Sequence, residues 1–284
     1  MGYRHINNLY KSQEVLMFKE CYVSEKIHGT SAHIMWDKEN MKEVQYYSGG
    51  SCSQTFANLF DRKALTDMAH SIDVPKFAIY GEAYGGKCQK MSETYGLGLK
   101  FVAFEVRVGD MWLDTHKAKK FAQMFGLDFV WYAKSKTDID MLNHYRDQPS
   151  KQAEKCGMGD DKKSEGIVIR PLIELCKNDG TRIMAKHKAL DFCETKTPRV
   201  VSEEELRILS QINEITAEWV TENRLSNILS HIEKELEIQD IPVLMNIMIE
   251  DVLREGEGEL VRSKALIKAI SRETAMMVKR RLQL

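Results

Sequence analysis

The sequence predicts an α+β fold in two parts, residues 1–198 and 199–284. Before Pro198, short runs of alternating apolar and polar residues are separated by glycines and a few helical stretches. After it, apolar residues recur at helical spacing almost throughout, so the second part is expected to be a small all-α domain. Length sets the scale: 284 residues, 43% of them hydrophobic, can bury one large core or two moderate ones.

Taken in order, strands are expected near 23–27, 32–36 and 44–48, followed by a turn at Ser48-Gly49-Gly50-Ser51. Phe56, Leu59, Phe60 and Leu65 fit an amphipathic helix that ends before Pro75. The strand 77–82 ends in a carboxylate, Glu82, and the glycine-rich stretch 84–98 reads as a loop. The apolar run 99–108 is a long strand that Gly109-Asp110 turns into 111–113. Thr115 is expected to cap a helix through Phe125. A short strand at 129–132 precedes helical sequence over 138–155, which Pro149 interrupts. A polar loop, 157–163, then leads to strands at 164–170 and 183–188.

In the second part, Ser202 and the three glutamates after it form an N-cap with an acidic first turn. Leu206, Leu209, Ile212, Ile215 and Trp219 make one apolar stripe, and Leu225, Ile228, Leu229, Ile232 and Leu236 a second. Pro242 opens a third helix running to Leu253, and Gly256 and Gly258 separate it from a last helix ending at Leu282. The stripes are those of helix–helix contacts rather than of a ligand groove.

Charge and cysteine content exclude several functions. The net charge is −1 and the pI about 6.7, so no broad surface for coating nucleic acid is expected, and a polyanion must be held by local clusters. No apolar run approaches the ~20 residues of a membrane span, and residues 1–10 lack a signal-peptide core. Six cysteines stand at 21, 52, 88, 156, 176 and 193 without a C-x-x-C pair. A zinc site is not indicated, and free thiols in a reducing cytosol are expected; the sequence leaves the oligomeric state open, with a monomer favoured.

The chemistry centres on Tyr22-Val23-Ser24-Glu25-Lys26-Ile27-His28-Gly29-Thr30, where a strand runs into Lys26 and a turn. A lysine there is either a solvated surface residue or a nucleophile whose amine must shed its proton. Four later segments bear on the choice. Tyr80-Gly81-Glu82 places an acid at a strand end. Phe104 and Glu105 are adjacent in a strand and so face opposite sides. Glu165 stands at the start of the strand 164–170, and Lys186 and Lys188 share one face of another. Singly, each could be an ordinary surface acid, core aromatic or edge lysine. As a set they suit phosphoryl chemistry, which needs cations at the transferring phosphate, a carboxylate-held metal and an aromatic face for a base.

The segments resemble, in order, the nucleotidyltransferase motifs of the ATP-dependent ligase superfamily. Lys26-Ile27-His28-Gly29 is similar to the K-x-x-G motif, and Tyr80–Glu82, 101–106, Ser164–Val168 and Lys186–Lys188 to the four that follow. Glu25-Lys26-Ile27-His28-Gly29-Thr30 most resembles the nick-sealing RNA ligases of T-even phages and the RNA-editing ligases of trypanosomes. The resemblance spans 25–188. It implies an ATP-grasp-like nucleotidyltransferase domain of antiparallel sheets with flanking helices, located in the cytoplasm, or in a host's cytoplasm if the protein is viral.

The resemblance also implies a three-step reaction. Lys26 attacks the α-phosphate of ATP to give lysyl-AMP; AMP passes to the 5′-phosphate end of an RNA; and a 3′-hydroxyl then displaces AMP, at nicks in duplex RNA or RNA/DNA hybrid. Lys186 and Lys188 would bind the α-phosphate and ease loss of the Lys26 proton. Glu165 would help hold Mg²⁺ or Mn²⁺, Glu82 would accept a ribose hydroxyl, and Phe104 would stack on adenine. The backbone of Glu25 to Ile27 would read the adenine edge, and His28 would contact phosphate, unless it is a packing residue. One departure stands out. The phage relatives carry an arginine between the first two motifs, where this chain has Ser48-Gly49-Gly50-Ser51, either a phosphate-binding loop or an ordinary turn; Arg62 is a poor substitute. Two other readings remain: a DNA ligase or capping-type enzyme of the same superfamily, which normally has a β-barrel after the last motif, and a nucleotide- or RNA-binding protein with a dead site. The basic residues Arg262, Lys264, Lys268, Arg272, Lys279, Arg280 and Arg281 suggest either an RNA-contacting last helix or a solvated one.

Overall fold

A computed structural model describes residues 3–49, 53–192, 203–229, 236–256 and 260–283, with the backbone alone at 53–54, 203–206 and 209–210. The chain divides into two compact units: residues 1–15 with 19–199, and residues 16–18 with 200–284. In order, the first unit contains β1 (Glu20–Glu25), β2 (Thr30–Asp37), β3 (Gln45–Ser48), α1 (Ser53–Phe56), α2 (Arg62–Ser71), β4 (Lys76–Tyr84), α3 (Ser92–Tyr95), β5 (Lys100–Val108) and β6 (Met111–Trp112). It continues through α4 (Thr115–Met124), β7 (Tyr132–Lys136), α5 (Ile139–Arg146), α6 (Lys151–Lys155), β8 (Gly166–Pro171) and β9 (Ala185–Lys188).

The strands form two sheets, ordered β7-β1-β8-β9 and β3-β2-β4-β5-β6, with every neighbouring pair antiparallel. Alternation along β2, β4 and β5 turns Ile34, Trp36, Phe77, Ile79 and Val106 into one core. Leu65 and Ala69 of α2 and Ala118 and Ala122 of α4 pack on it. A second cluster gathers Ile27, Tyr84, Tyr95, Val102 and Val130, with Phe104 packed against it.

Local chemistry moved several expected boundaries. The helix through Phe125 is capped by Asp114, whose side chain accepts from Lys117 N, and not by Thr115. Either residue type can cap, and the carboxylate is the one that reaches the free N–H groups. The expected single helix after Phe56 is split: α1 and a 3₁₀ turn end near Phe60, and Asp61 caps α2 afresh. The expected strand at 129–132 begins instead at Tyr132, where the polar run to Lys136 pairs with β1 as an edge strand. Helix 138–155 becomes α5 and α6, and Ser150, just after Pro149, caps the second. Cys88 is disulfide-bonded, against the expected free thiol; its partner lies outside the described residues, while Cys21, Cys156 and Cys176 are free.

In the second unit the described regular elements are all helical: α7 (Glu203–Trp219), α8 (Glu222–Leu229), a 3₁₀ turn, α9 (Ile241–Glu255) and α10 (Lys264–Arg281). Leu225, Leu244, Met248, Val252, Ile270 and Val278 form its interior. Pro198, the Ser202 cap, Ile232 and Gly258 lie outside the described residues, as do the side chains of Leu206 and Leu209. The basic last helix is not uniformly solvated. Arg272 is buried, donates to the Met17 carbonyl at 2.8 Å and lies over the Phe18 ring, and Arg281 pairs with Glu222 at 2.9 Å. No helix among the described residues is long and apolar enough to cross a membrane.

Candidate active site

β1 ends at Glu25, so Lys26, Ile27 and His28 form the link by which the chain leaves one sheet and enters β2 of the other. Two contacts fix the link. The Lys26 N–H donates to the Gly166 carbonyl at 2.9 Å, and the buried Ile27 side chain packs beside Tyr95. Gly29 is needed for close approach: a Cβ there would stand 2.4 Å from the Ala83 carbonyl oxygen and 2.9 Å from Glu82 Cγ. Gly166, at φ +137°, has the same function on the other sheet, because a Cβ would stand 2.1 Å from the His187 carbonyl oxygen of β9.

The side chains expected to act together converge. Glu165, 3% exposed, precedes β8 and receives Lys26 Nζ at 2.8 Å and His28 Nδ1 at 3.2 Å on one oxygen, and Lys188 Nζ at 3.2 Å on the other. Burial alone would raise its carboxyl. The hydrogen bond from His28 and the charge of Lys26 outweigh burial and hold it down to about 2. β9 brings Lys188 opposite Gly166 and Lys186 opposite Val168, so both lysines face this side. Between them His187 points the other way, toward Asn143 and Arg146 of α5. His28 also lies edge-on to Phe192, with centroids 5.4 Å apart, so it packs as well as facing Glu165.

A cavity of about 260 Å³ opens between the sheets, near the lower end of the ~300–1,000 Å³ usual for small-molecule sites. Ser24, Glu25, Lys26, Ile27, Val168, Arg170 and Lys186 line it from one side, and Ser31, Glu82 and Phe104 from the other. The Glu25 side chain is engaged elsewhere: it is buried, accepts from Ser150 Oγ at 2.5 Å and Gln152 N at 3.0 Å, and so anchors the start of α6. Among the described residues no three His, Cys, Asp or Glu side chains cluster as a metal site. Glu165 offers a hard carboxylate oxygen of the kind a divalent ion takes. Arg62 is outside the cavity and pairs with Glu43 at 3.4 Å; Gly50 and Ser51 of the candidate phosphate loop lie outside the described residues.

Burial raises Glu82 from an ordinary 4.5 to about 7; Lys26 opposes the rise and Glu165 reinforces it. Above that value the side chain is charged in the folded and unfolded states alike, and the fold bears the full desolvation. Below 4.5 it is neutral in both states and the burden vanishes. Glu82→Gln should therefore stabilise the protein by about 1–3 kcal/mol at pH 8 and by almost nothing at pH 4. The gain reads out as a rise in melting temperature of roughly 2–4 °C per kcal/mol. A rise equal at both pH values would contradict the assignment.

The sequence reading missed the N-terminal segment. Asn7 and Leu9 add to the edge of β9 through Lys186 N→Asn7 O at 2.9 Å and Leu9 N→Lys186 O at 2.8 Å, and Tyr3, Arg4, His5 and Ile6 line the cavity. Tyr3 packs edge-on against Phe104, with centroids 5.0 Å apart, and its hydroxyl donates to Glu105 at 2.6 Å. Glu105 is fully buried and also receives Arg170 and, at 2.6 and 2.7 Å, both terminal nitrogens of Arg182. The segment has no periodicity, and only its Tyr-rich polarity marked it.

A family model described as RNA ligase matches residues 19–188. No curated protein sequence matches significantly. Among solved structures, the chain is similar to an apo form of an RNA ligase from Naegleria gruberi, at 16% identity and a TM-score of 0.50, over 66% of this chain and 56% of that one. Forms of the same ligase with AMP and Mn and with ATP and Mn match at 15% identity and TM-scores of 0.51, over 68% of this chain and 57% of theirs. The chain thus spans a little over half the length of those proteins, and at such identity the likeness is one of fold.

Proposed function

Because the chain belongs to the RNA ligase family, whose model spans residues 19–188, we propose that it is an ATP-dependent RNA ligase joining a 3′-hydroxyl end to a 5′-phosphate end. The observation that carries the proposal is the convergence of Lys26, Glu82, Phe104 and Lys186 on one cavity, with Glu165 binding Lys26, His28 and Lys188 at its edge. The ATP, AMP and Mn of the Naegleria structures support ATP as substrate and a divalent ion beside it.

Lys26 Nζ attacks the α-phosphorus of ATP. A P–N bond forms, the bond to the bridging oxygen breaks, pyrophosphate leaves and the amine gives up its proton. The attack requires the Lys26–Glu165 pair to open, and His28 and Lys188 remain on Glu165 when it does, so its buried charge stays compensated. Lys186 neutralises charge at the α-phosphate, Phe104 and Val168 hold the base between apolar surfaces, and Glu82 accepts a ribose hydroxyl. A divalent ion at Glu165, when bound, supplies further charge neutralisation at the phosphates. An oxygen of the RNA 5′-phosphate then displaces Lys26 from AMP. Last, the 3′-hydroxyl attacks that 5′-phosphate and AMP departs.

The described elements after residue 200 are helices, which favours this reading over a DNA ligase or capping enzyme with a β-barrel there. The retention of Lys26, Glu82, Glu165, Lys186 and Lys188 disfavours a dead site. The test is sealing of matched nicked duplexes with ATP and Mg²⁺, with only the sugar of the 3′-hydroxyl end varied. Sealing that requires a ribose end is expected. Equal sealing of all-DNA nicks would make the protein a DNA ligase, and lysyl-AMP without sealing would exclude duplex nicks as its substrate.

A further inference from the structure

Most cations around the cavity already have a counter-charge. Lys26 and Lys188 pair with Glu165, and Arg170 and Arg182 pair with Glu105. Arg4 differs. It lines the same cavity and is exposed, and it pairs with no carboxylate among the described residues. Nor is its place that of a loose tail. On one side Tyr3 is tied to Glu105, and on the other Asn7 and Leu9 are bonded to the backbone of Lys186. Arg4 and the two residues after it bridge these anchors across the cavity, next to the strand that supplies Lys186.

We infer that Arg4 binds a phosphate brought to this cavity, either in the polyphosphate tail of ATP or at the 5′ end of the RNA. The inference rests on the ligase reading, and two physical points support it. The planar guanidinium can engage two phosphate oxygens at once, which suits it to phosphate better than a point charge. An exposed, uncommitted cation loses less on meeting a ligand than one that must first leave a carboxylate.

The experiment compares full-length wild type, Arg4→Ala and Arg4→Lys in three measurements: lysyl-AMP formation against ATP concentration, transfer of AMP to a 5′-phosphorylated RNA, and binding of AMP alone by titration. For Arg4→Ala a loss of about tenfold or more is expected in one of the first two, with AMP affinity within about twofold of wild type. A raised KM for ATP assigns the ATP tail; normal lysyl-AMP with slow transfer assigns the RNA end. Arg4→Lys should recover part of the loss, because charge remains when the fork is gone. Arg4→Ala within about twofold of wild type in both reactions would overturn the inference, as would an equal loss of AMP affinity, which would mean that Arg4 only shapes the pocket. A wild type that binds AMP but forms no lysyl-AMP would overturn the ligase reading itself, and the inference with it.

Discussion

Lys26→Ala should abolish covalent transfer of AMP to the protein, by at least about four orders of magnitude, while leaving the fold intact. Removing the nucleophile leaves no substitute amine. Lys188 Nζ is held 3.2 Å from Glu165 Oε1, and Lys186 reaches the cavity from β9, in the other arm of the sheet, where it meets the phosphate as a counter-charge. The truncation should be mild for stability because Glu165 keeps His28 and Lys188, so no buried carboxylate is stranded. A loss of about 1–3 kcal/mol is expected, since Glu165 is 3% exposed and loses one of its three partners while keeping two. Two further readouts separate the steps. Lys26→Ala should still join an RNA whose 5′ end already carries AMP, because that step breaks no bond to lysine. A mass shift of one AMP should appear in wild type and vanish in the variant. Labelling that persists above a few per cent would take the nucleophile's role away from Lys26.

The parts of the site that were legible in the sequence lie in or beside strands. Lys26 follows β1, Glu165 precedes β8, and Lys186 and Lys188 share one face of β9; Glu82, expected to end its strand, lies inside β4, which continues to Tyr84, and Gly29 and Gly166 mark the places where backbones approach closely. Such features are local, so a short window carries them. Glu105 shows the limit. Alternation revealed that it faces away from Phe104, but its partners Arg170 and Arg182 lie 65 and 77 residues further along, and no local pattern couples them. Tyr3 and Arg4 were hidden for a related reason: two backbone bonds to one residue of β9 hold their segment, too few to impress a period on the sequence. The capping error at Thr115 has a different origin, since adjacent Asp114 and Thr115 both satisfy the composition rule and only geometry chooses.

Glu105→Ala should destabilise the first unit by about 3–5 kcal/mol, the range for stripping the partner from a buried charge. Glu105 is 0% exposed, and the side chains of Arg170 and Arg182 are 5% and 9% exposed, so neither guanidinium can recover its loss from water. Arg182 retains Glu174, at 2.5 Å, and stays over the Trp112 ring, whereas Arg170 loses its carboxylate partner. The pH dependence follows from the same charges. Burial would raise the Glu105 carboxyl, but Arg170 and Arg182 outweigh it and hold it down to about 2, against 4.5 ordinarily. A lowered acid contributes its stability above the ordinary value and loses it as pH falls toward the lowered one. The gap between wild type and Glu105→Ala should therefore be constant above pH 4.5 and close between 4.5 and about 2. Thermal unfolding across that range measures it, and a gap independent of pH would show that lost packing, not charge, is responsible. The substitution also takes away the acceptor of the Tyr3 hydroxyl. It should loosen one of the two anchors that hold Arg4 at the cavity, so phosphate-dependent steps should weaken together with stability. Arg4→Ala, an exposed truncation, should weaken those steps and leave the melting temperature unmoved.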